Sequence, residues 1–419
     1  MTIAWNPRPA SFTPADMRLS TWARGFGRSV AELDPRNAAE RTPRMTIPVG
    51  GRGNGVLVTG GAGFLGARVV RDLLADPEVG RVVIASRNPV HVSAVLRDLL
   101  GAPETLRLML DERVTMMPVD LSAPDAVPGM LRRVREHGIG TIIHLAAAVD
   151  AFAPRERLAA ANEQATRNVI ASAAATGSRL VVASTLSVFV SSDMGGERHE
   201  TSLRDSPSRM LLGGYAQTKA VADMMVEDAR AAGLDACSVR LGLLVPETPS
   251  TIDPRSFLDV LVRGVRLVGA VPEICEEALV DLTPVDQAAA AMVAIAMMRD
   301  MPGIVHYANP ESASLDMMTR MILGEDPEVL PNEEWRRLID DLPSIQRALL
   351  EAAFEKTRFI AGRCASRPLA NADLFQSTGR TYDIATALAS GAPAPRDART
   401  ILRTLFAKHG DADPQEDGK

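Results

Sequence analysis

Lysine is the residue this chain does almost without. Of its 46 basic side chains only Lys219, Lys356, Lys408 and Lys419 are lysines; the rest are arginine. Tyrosine is as scarce, confined to Tyr215, Tyr307 and Tyr382. The three cysteines, Cys237, Cys275 and Cys364, lie far apart. That excludes a disulfide framework and a cysteine metal knuckle, and a reducing cytoplasm is the expected compartment. The six histidines include no i, i+4 pair, so no metal centre is expected. No block of basic side chains marks a nucleic-acid footprint, and the net charge is −6. Long apolar runs are absent too. The N-terminus lacks the apolar run of a signal peptide. The longest apolar helix candidate, 288–298, is too short to span a bilayer and reads as a buried core helix.

What is present is an ample core: 46% of the residues are hydrophobic, enough for one large domain with a smaller satellite. Residues 1–54 carry scattered prolines and eight arginines. They read as a mobile extension with one short helix around 15–30, or as a basic docking arm, and Met45 is an alternative start. From Gly55 short apolar strands alternate with helices. The strands are 56–58, 81–85, 114–118, 141–145, 180–183 and 235–241. The helices between them include 67–74, 155–175 and 216–232. Continuous apolar strands alternating with helices predict an α/β fold, a Rossmann-type doubly wound parallel sheet over 55–245. Beyond Val245 the alternation decays. Residues 246–409 read as a smaller, mostly helical substrate lid, with helices at 256–268, 284–298, 335–355 and 397–408 and a return to the sheet near 281–307. The polar segment 410–419 reads as a disordered tail.

Gly60, Gly63 and Gly66 follow the first strand and open the first helix. The first permits a tight turn, the second lets backbone approach a pyrophosphate, and the third lets helix pack on strand. The helix N-terminus adds amide donors and a positive dipole end. A dinucleotide cofactor is expected. The second strand ends in Ser86-Arg87, without the acid that would bind a ribose hydroxyl; arginine there suits a 2′-phosphate and NADP. Asp120 closes the third strand and can accept from an adenine amino group. Ala146 and Ala147, after the fourth, leave room for a cofactor to cross the backbone. After the fifth strand, Ser184, Thr185 and Ser187 each offer a hydroxyl for a substrate carbonyl, or for the turn's own backbone.

Against this scarcity, Tyr215 and Lys219 stand four apart and share a helical face. Such a pair is how a phenol acquires a lowered pKa and becomes a proton donor near neutral pH. Arginine is a bulkier substitute for the compact ammonium.

Together these pieces resemble an extended short-chain dehydrogenase/reductase. Within that group the chain most resembles the thioester reductase domains of nonribosomal peptide and polyketide synthetases and of carboxylic acid reductases. The resemblance runs through Thr-Gly-Gly-Ala-Gly-Phe-Leu-Gly (59–66), Asp120-Leu121 and Ile-His-Leu-Ala-Ala-Ala-Val-Asp (143–150). It continues through Asn162, Ser-Thr-Leu-Ser-Val (184–188), Gly-Tyr-Ala-Gln-Thr-Lys (214–219), Gly-Ala-Val-Pro (269–272) and Thr-Pro-Val-Asp (283–286). It implies that Thr185, Tyr215 and Lys219 are catalytic. It also implies that Gly60, Ala62, Gly63, Phe64, Leu65, Arg87, Arg97, Asp120, Leu121, Ala146 and Ala147 hold NADP(H), with Tyr215 and Lys219. Two departures stand out: Asn88-Pro89 where the family often has an arginine-alanine pair, and Ala220 where it often has tryptophan.

The resemblance further implies reduction of an acyl or peptidyl thioester on a carrier protein's phosphopantetheine arm. No adenylation or carrier domain precedes the motifs, so the chain is expected to act in trans, releasing an aldehyde or an alcohol. The same motifs are compatible with three other activities: a sugar-nucleotide epimerase/dehydratase, a 3β-hydroxysteroid-dehydrogenase-like enzyme, or a fatty acyl-CoA reductase. A cofactor-binding sensor without catalysis is a further alternative.

Overall fold

The computed structural model describes residues 27–37, 53–150, 153–189, 196–205, 210–248, 257–273, 279–324, 326–340, 342, 347, 356–357, 369–370 and 380–406. Seven parallel strands form the central sheet. They are β1 (Gly55–Thr59), β2 (Arg81–Ser86), β3 (Val114–Pro118), β4 (Ile139–His144), β5 (Arg179–Thr185), β6 (Ala236–Leu241) and β7 (Ile304–Tyr307). Their spatial order is β7-β6-β5-β4-β1-β2-β3, every ladder parallel. The order reverses between β1 and β4, and in such sheets ligands bind at the carboxyl ends of the strands flanking that reversal. The principal helices are α1 (Phe64–Ala75), α2 (Val92–Leu100), α3 (Ala102–Leu110), α4 (Ala126–Glu136), α5 (Ala165–Thr176) and α6 (Gly214–Ala231). After them come α7 (Phe257–Val268), α8 (Val285–Met297), α9 (Leu315–Leu323), α10 (Asn332–Ile339) and α11 (Ala398–Phe406).

β1 and β6 are buried along their whole length, because helices cover both faces. The pleat sends successive residues to opposite sides. Leu57, Val83, Ile142 and Leu180 join Met130, Val169 and Met224 from α4, α5 and α6. Val56, Val58, Ile84 and Val239 join Val69 and Leu73 of α1 and Met292 and Ile295 of α8. The expected buried apolar helix is thus α8, which covers the sheet; β7 then adds the edge strand, so the chain does return to the sheet. Among the described residues no helix is long and apolar enough to cross a membrane.

A separate apolar cluster makes the satellite. Leu258, Val262 and Val265 of α7 pack with Met318 of α9, Trp335 and Ile339 of α10, and Ile401 and Leu402 of α11. The Trp335 indole N–H donates to the Ala270 carbonyl at 3.0 Å. The satellite is not purely helical: 270–272 pairs with 328–330, and 279–281 with 312–314. Asp281 clamps its root to the sheet, accepting from the Leu243 amide (3.0 Å) and the Thr283 hydroxyl (2.7 Å). Burial pushes the Asp281 carboxyl up to about 6.

Of the expected extension, 1–54, only 27–37 and 53–54 are among the described residues, and 27–37 is docked on the domain. Within 1–54, Gly27–Ser29 forms a strand antiparallel to Met210–Leu212, the segment leading into α6. Ser29 and Glu32 close a capping box on the short helix Val30–Leu33, whose Val30 and Leu33 are buried. Asp34 is gripped by Arg204 at 2.8 Å. The helix expected around 15–30 falls almost wholly outside the described residues, as do most of 335–355 and the tail 410–419. The single helix expected over 155–175 is interrupted by a π-turn at Ala160–Gln164.

Candidate active site

The glycine turn joins β1 to α1 at the point where the strand order reverses. Gly60 has φ +70°, and a Cβ there would lie 2.7 Å from the Ala146 nitrogen in the loop after β4. A Cβ on Gly66 would lie 2.0 Å from the Gly60 carbonyl oxygen. Bare backbone is therefore required on both sides of the turn. Gly63 is the exposed N-cap of α1, without a side-chain cap. Ala62, Phe64, Ala146 and Ala147 are partly exposed around this turn, and Leu65 is buried.

A directed hydrogen-bond chain fixes the β4 end. The Thr166 hydroxyl donates to the Asn162 carbonyl at 2.6 Å, so it must accept from His144 Nε2, 3.3 Å away. His144 Nδ1 is then the acceptor for the Thr59 hydroxyl at 2.7 Å, whose oxygen takes the Ala146 amide at 3.2 Å. Burial and the Lys219 charge push the His144 pKa down to about 3, so the ring stays neutral. Asn162, carried on the π-turn, accepts from the Ala148 amide (2.7 Å) and donates to the Ala148 carbonyl (3.1 Å) and the Thr218 hydroxyl (2.9 Å). The turn thereby joins the β4 loop to α6; π-turns are frequent at functional sites.

Tyr215 and Lys219 lie on the first turns of α6 beside the end of β5. The Thr185 side chain acts on Tyr215, opposing the rise that burial imposes on the phenol's pKa. The Thr185 hydroxyl also lies 3.1 Å from the Ser187 hydroxyl and accepts from the Ser187 amide at 3.1 Å. Ser184 is buried, and its hydroxyl has no partner among the described residues. Of the three candidate hydroxyls, Thr185 is the one that acts on the phenol.

The expected lowering of the phenol's pKa is not what the geometry gives. Burial pushes Tyr215 up to about 12, the Thr185 hydrogen bond offsetting only part of this. The Lys219 ammonium instead donates to the Ala183 carbonyl on β5 at 2.6 Å. Burial lowers Lys219 to about 8, against the pull of Asp223. Spacing placed the two groups on one face; it could not say where the flexible lysine stem points.

At the far end of the crevice, Arg87 is exposed just after β2. Its charge helps lower the Asp120 carboxyl, after hydrogen bonds from the Ser122 hydroxyl and amide. Arg97 stands on the exposed side of α2 and is not among the groups acting on Asp120. Leu121 is buried, and its carbonyl accepts from Asn168 of α5 at 2.9 Å.

A model of the NAD-binding family described as "Male sterility protein" matches residues 58–292, more than half of the 419-residue chain. The chain belongs to that family. An isonitrile lipopeptide synthase of Streptomyces coeruleorubidus is 32% identical over 251 residues, 58% of this chain and 16% of the synthase. A glycine betaine reductase, ATRR, of Emericella nidulans is 30% identical over 302 residues, 67% of this chain and 23% of the reductase. The matches therefore span about a fifth of these relatives' length. The terminal R domain from the myxalamid PKS-NRPS pathway shares the fold, with TM-score 0.70 and 24% identity over 90% of this chain and 94% of that one.

As a member of this family the chain is an extended short-chain dehydrogenase/reductase, an oxidoreductase that uses a nicotinamide dinucleotide. Its residues fit that cofactor. The turn admits no Cβ at Gly60 or Gly66, and α1 opens with uncapped amides. Such a terminus is an anion cradle. Sequence reasoning missed the bracing roles of His144, Thr59 and Thr166. Their only signal was a histidine inside an otherwise apolar strand.

Proposed function

We propose that the protein is an NADPH-dependent thioester reductase of the cytoplasm that releases a carrier-bound acyl or peptidyl group as an aldehyde, with a second round giving the alcohol. What supports this reading is the placement of Thr185 at the carboxyl end of β5, one strand from the reversal point, beside the helix that carries Tyr215 and Lys219, with Lys219 donating to Ala183 of that strand. The likeness to an isonitrile lipopeptide synthase supports a carrier-bound substrate. In this reading 55–245 forms the cofactor domain and 246–409 the substrate region. The substrate arrives on the phosphopantetheine arm of a carrier.

Gly60, Ala62, Gly63, Phe64 and Leu65 would hold the pyrophosphate, Arg87 and Arg97 the 2′-phosphate, Asp120 and Leu121 the adenine side, and Ala146 and Ala147 the passage to the nicotinamide. When bound, the nicotinamide supplies hydride to the thioester carbonyl carbon. The Thr185 and Tyr215 hydroxyls donate to the carbonyl oxygen, where negative charge grows, and preorganised donors act most strongly there. A phenol held near 12 is fully protonated at neutral pH and has its proton to give. The Lys219 ammonium, charged below about 8, offsets the phenolate that results. Collapse of the hemithioacetal then frees the carrier thiol and the aldehyde.

The test is cofactor oxidation with a carrier-bound acyl thioester. Tyr215→Phe should cut turnover by about a thousandfold, the general-acid range, with cofactor affinity unchanged. Full activity in that variant would overturn the assignment.

A further inference from the structure

Tyr215, Lys219, Asp223 and Glu227 follow one another at intervals of four along α6. Residues so spaced share one face of a helix. The first two belong to the proposed reaction; the next two are acids, Asp223 buried and Glu227 partly exposed. Asp223 is 1% exposed. Its Oδ2 accepts from Arg240 Nε of β6 at 2.7 Å, and both side chains are fully buried. Its Oδ1 is buried and has no hydrogen-bond partner among the described residues. Half of a buried carboxylate thus stays unsatisfied one helical turn from the active-site lysine. A carboxylate kept in that state is costly unless a nearby cation compensates it.

Arg240 does not cancel that charge alone. It is shared: Nη1 donates to the Thr201 carbonyl at 2.8 Å, Nη2 lies 3.7 Å from Glu227, and the guanidinium sits over the Phe189 ring at 5.3 Å. One helical turn back on the same face stands a further cation, Lys219. The groups that face its ammonium come from four elements. α6 brings Asp223, with Tyr215 one turn away on the same face; β4 brings the neutral His144; β5 brings the Ala183 carbonyl; β6 brings Arg240 by way of Asp223. Asp223 is the one anion among them.

We infer that Asp223 is a positioning residue for the proposed reaction that acts through Lys219: its carboxylate, fixed by Arg240 one helical turn away, keeps the lysine ammonium charged. This rests on the reading above for its consequence in turnover, but the electrostatic link can be measured without turnover. The direction of the lysine's shift agrees, since Asp223 opposes the effect of burial.

Four lysines in the chain make the measurement tractable. Isotope-labelled lysine in the full-length protein gives four side-chain signals, and Lys219→Arg assigns the one that matters. Asp223→Asn should lower the Lys219 titration midpoint by about one pH unit or more, the size expected when a close opposite charge is removed. Asp223→Glu should restore it. Breaking a buried pair can itself prevent folding. The double variant Asp223→Asn/Arg240→Met, which removes both halves, is therefore the second arm, with a smaller downward move expected. In turnover, the alkaline limb of the pH profile should follow the same downward displacement. A folded Asp223→Asn or double variant with an unmoved midpoint overturns the inference, even if thioester reduction is confirmed. A moved midpoint in a protein that reduces no thioester upholds the link to Lys219 and overturns the reaction instead.

Discussion

The two helices that open onto the crevice contribute in opposite ways. α1 offers backbone: three glycines strip its start of side chains, so that amides and a close turn remain. α6 offers side chains: a phenol, an ammonium and two acids on one face, two of the four buried. A site made of backbone is read from what is missing and from fixed spacing. A site made of long side chains depends on where their tips go, which spacing does not determine. The corrected phenol pKa of Tyr215 is the direct outcome of that difference.

Substitutions can break or sharpen this contrast. The largest effect is expected at Gly66→Ala. Its methyl must displace the Gly60 carbonyl, costing about 3 kcal/mol of stability, the upper range for overpacking, and most cofactor binding. Denaturant unfolding and cofactor titration check both. Thr185→Val should instead lower turnover about a hundredfold, the lower range for losing one oxyanion donor, while cofactor affinity stays as it was. If Gly66→Ala bound cofactor normally, the backbone half of the comparison would fail; unchanged turnover in Thr185→Val would undo the side-chain half. Arg87→Ala should raise KM for NADPH about tenfold, as for loss of one charged hydrogen bond, and leave KM for NADH alone. Smallest is the pH effect. Burial has lowered Lys219 from 10.5 to about 8, so its charge is complete below about 8 and is lost above. Turnover should decline as pH rises through that value, which a rate profile with NADPH in excess would show.

The sheet was legible because its strands are unbroken apolar runs, and the same feature places them under helices on both sides. The glycine turn was legible for a related reason: glycine is the residue that fits at Gly60 and Gly66. Less accessible was the docked segment 27–37, whose only local sign is Ser29 followed three residues later by Glu32. Its partner Arg204 lies 170 residues away, and no local pattern announces a contact at that distance. The π-turn escaped notice because one extra residue in a helical turn leaves the composition of 155–175 unchanged. Yet that turn delivers Asn162 to Ala148 and Thr218.

The edge strand β7 and its covering helix α8 are supplied only after the chain has passed through α7. The sheet is therefore finished by residues that come later than part of the satellite. Cutting the gene after codon 245 would deliver a torso lacking its last strand and much of one face. Any exchange of the part of the satellite inserted between Leu243 and Asp281 has to be stitched at both ends, leaving the stretch through Tyr307 in place to finish the sheet.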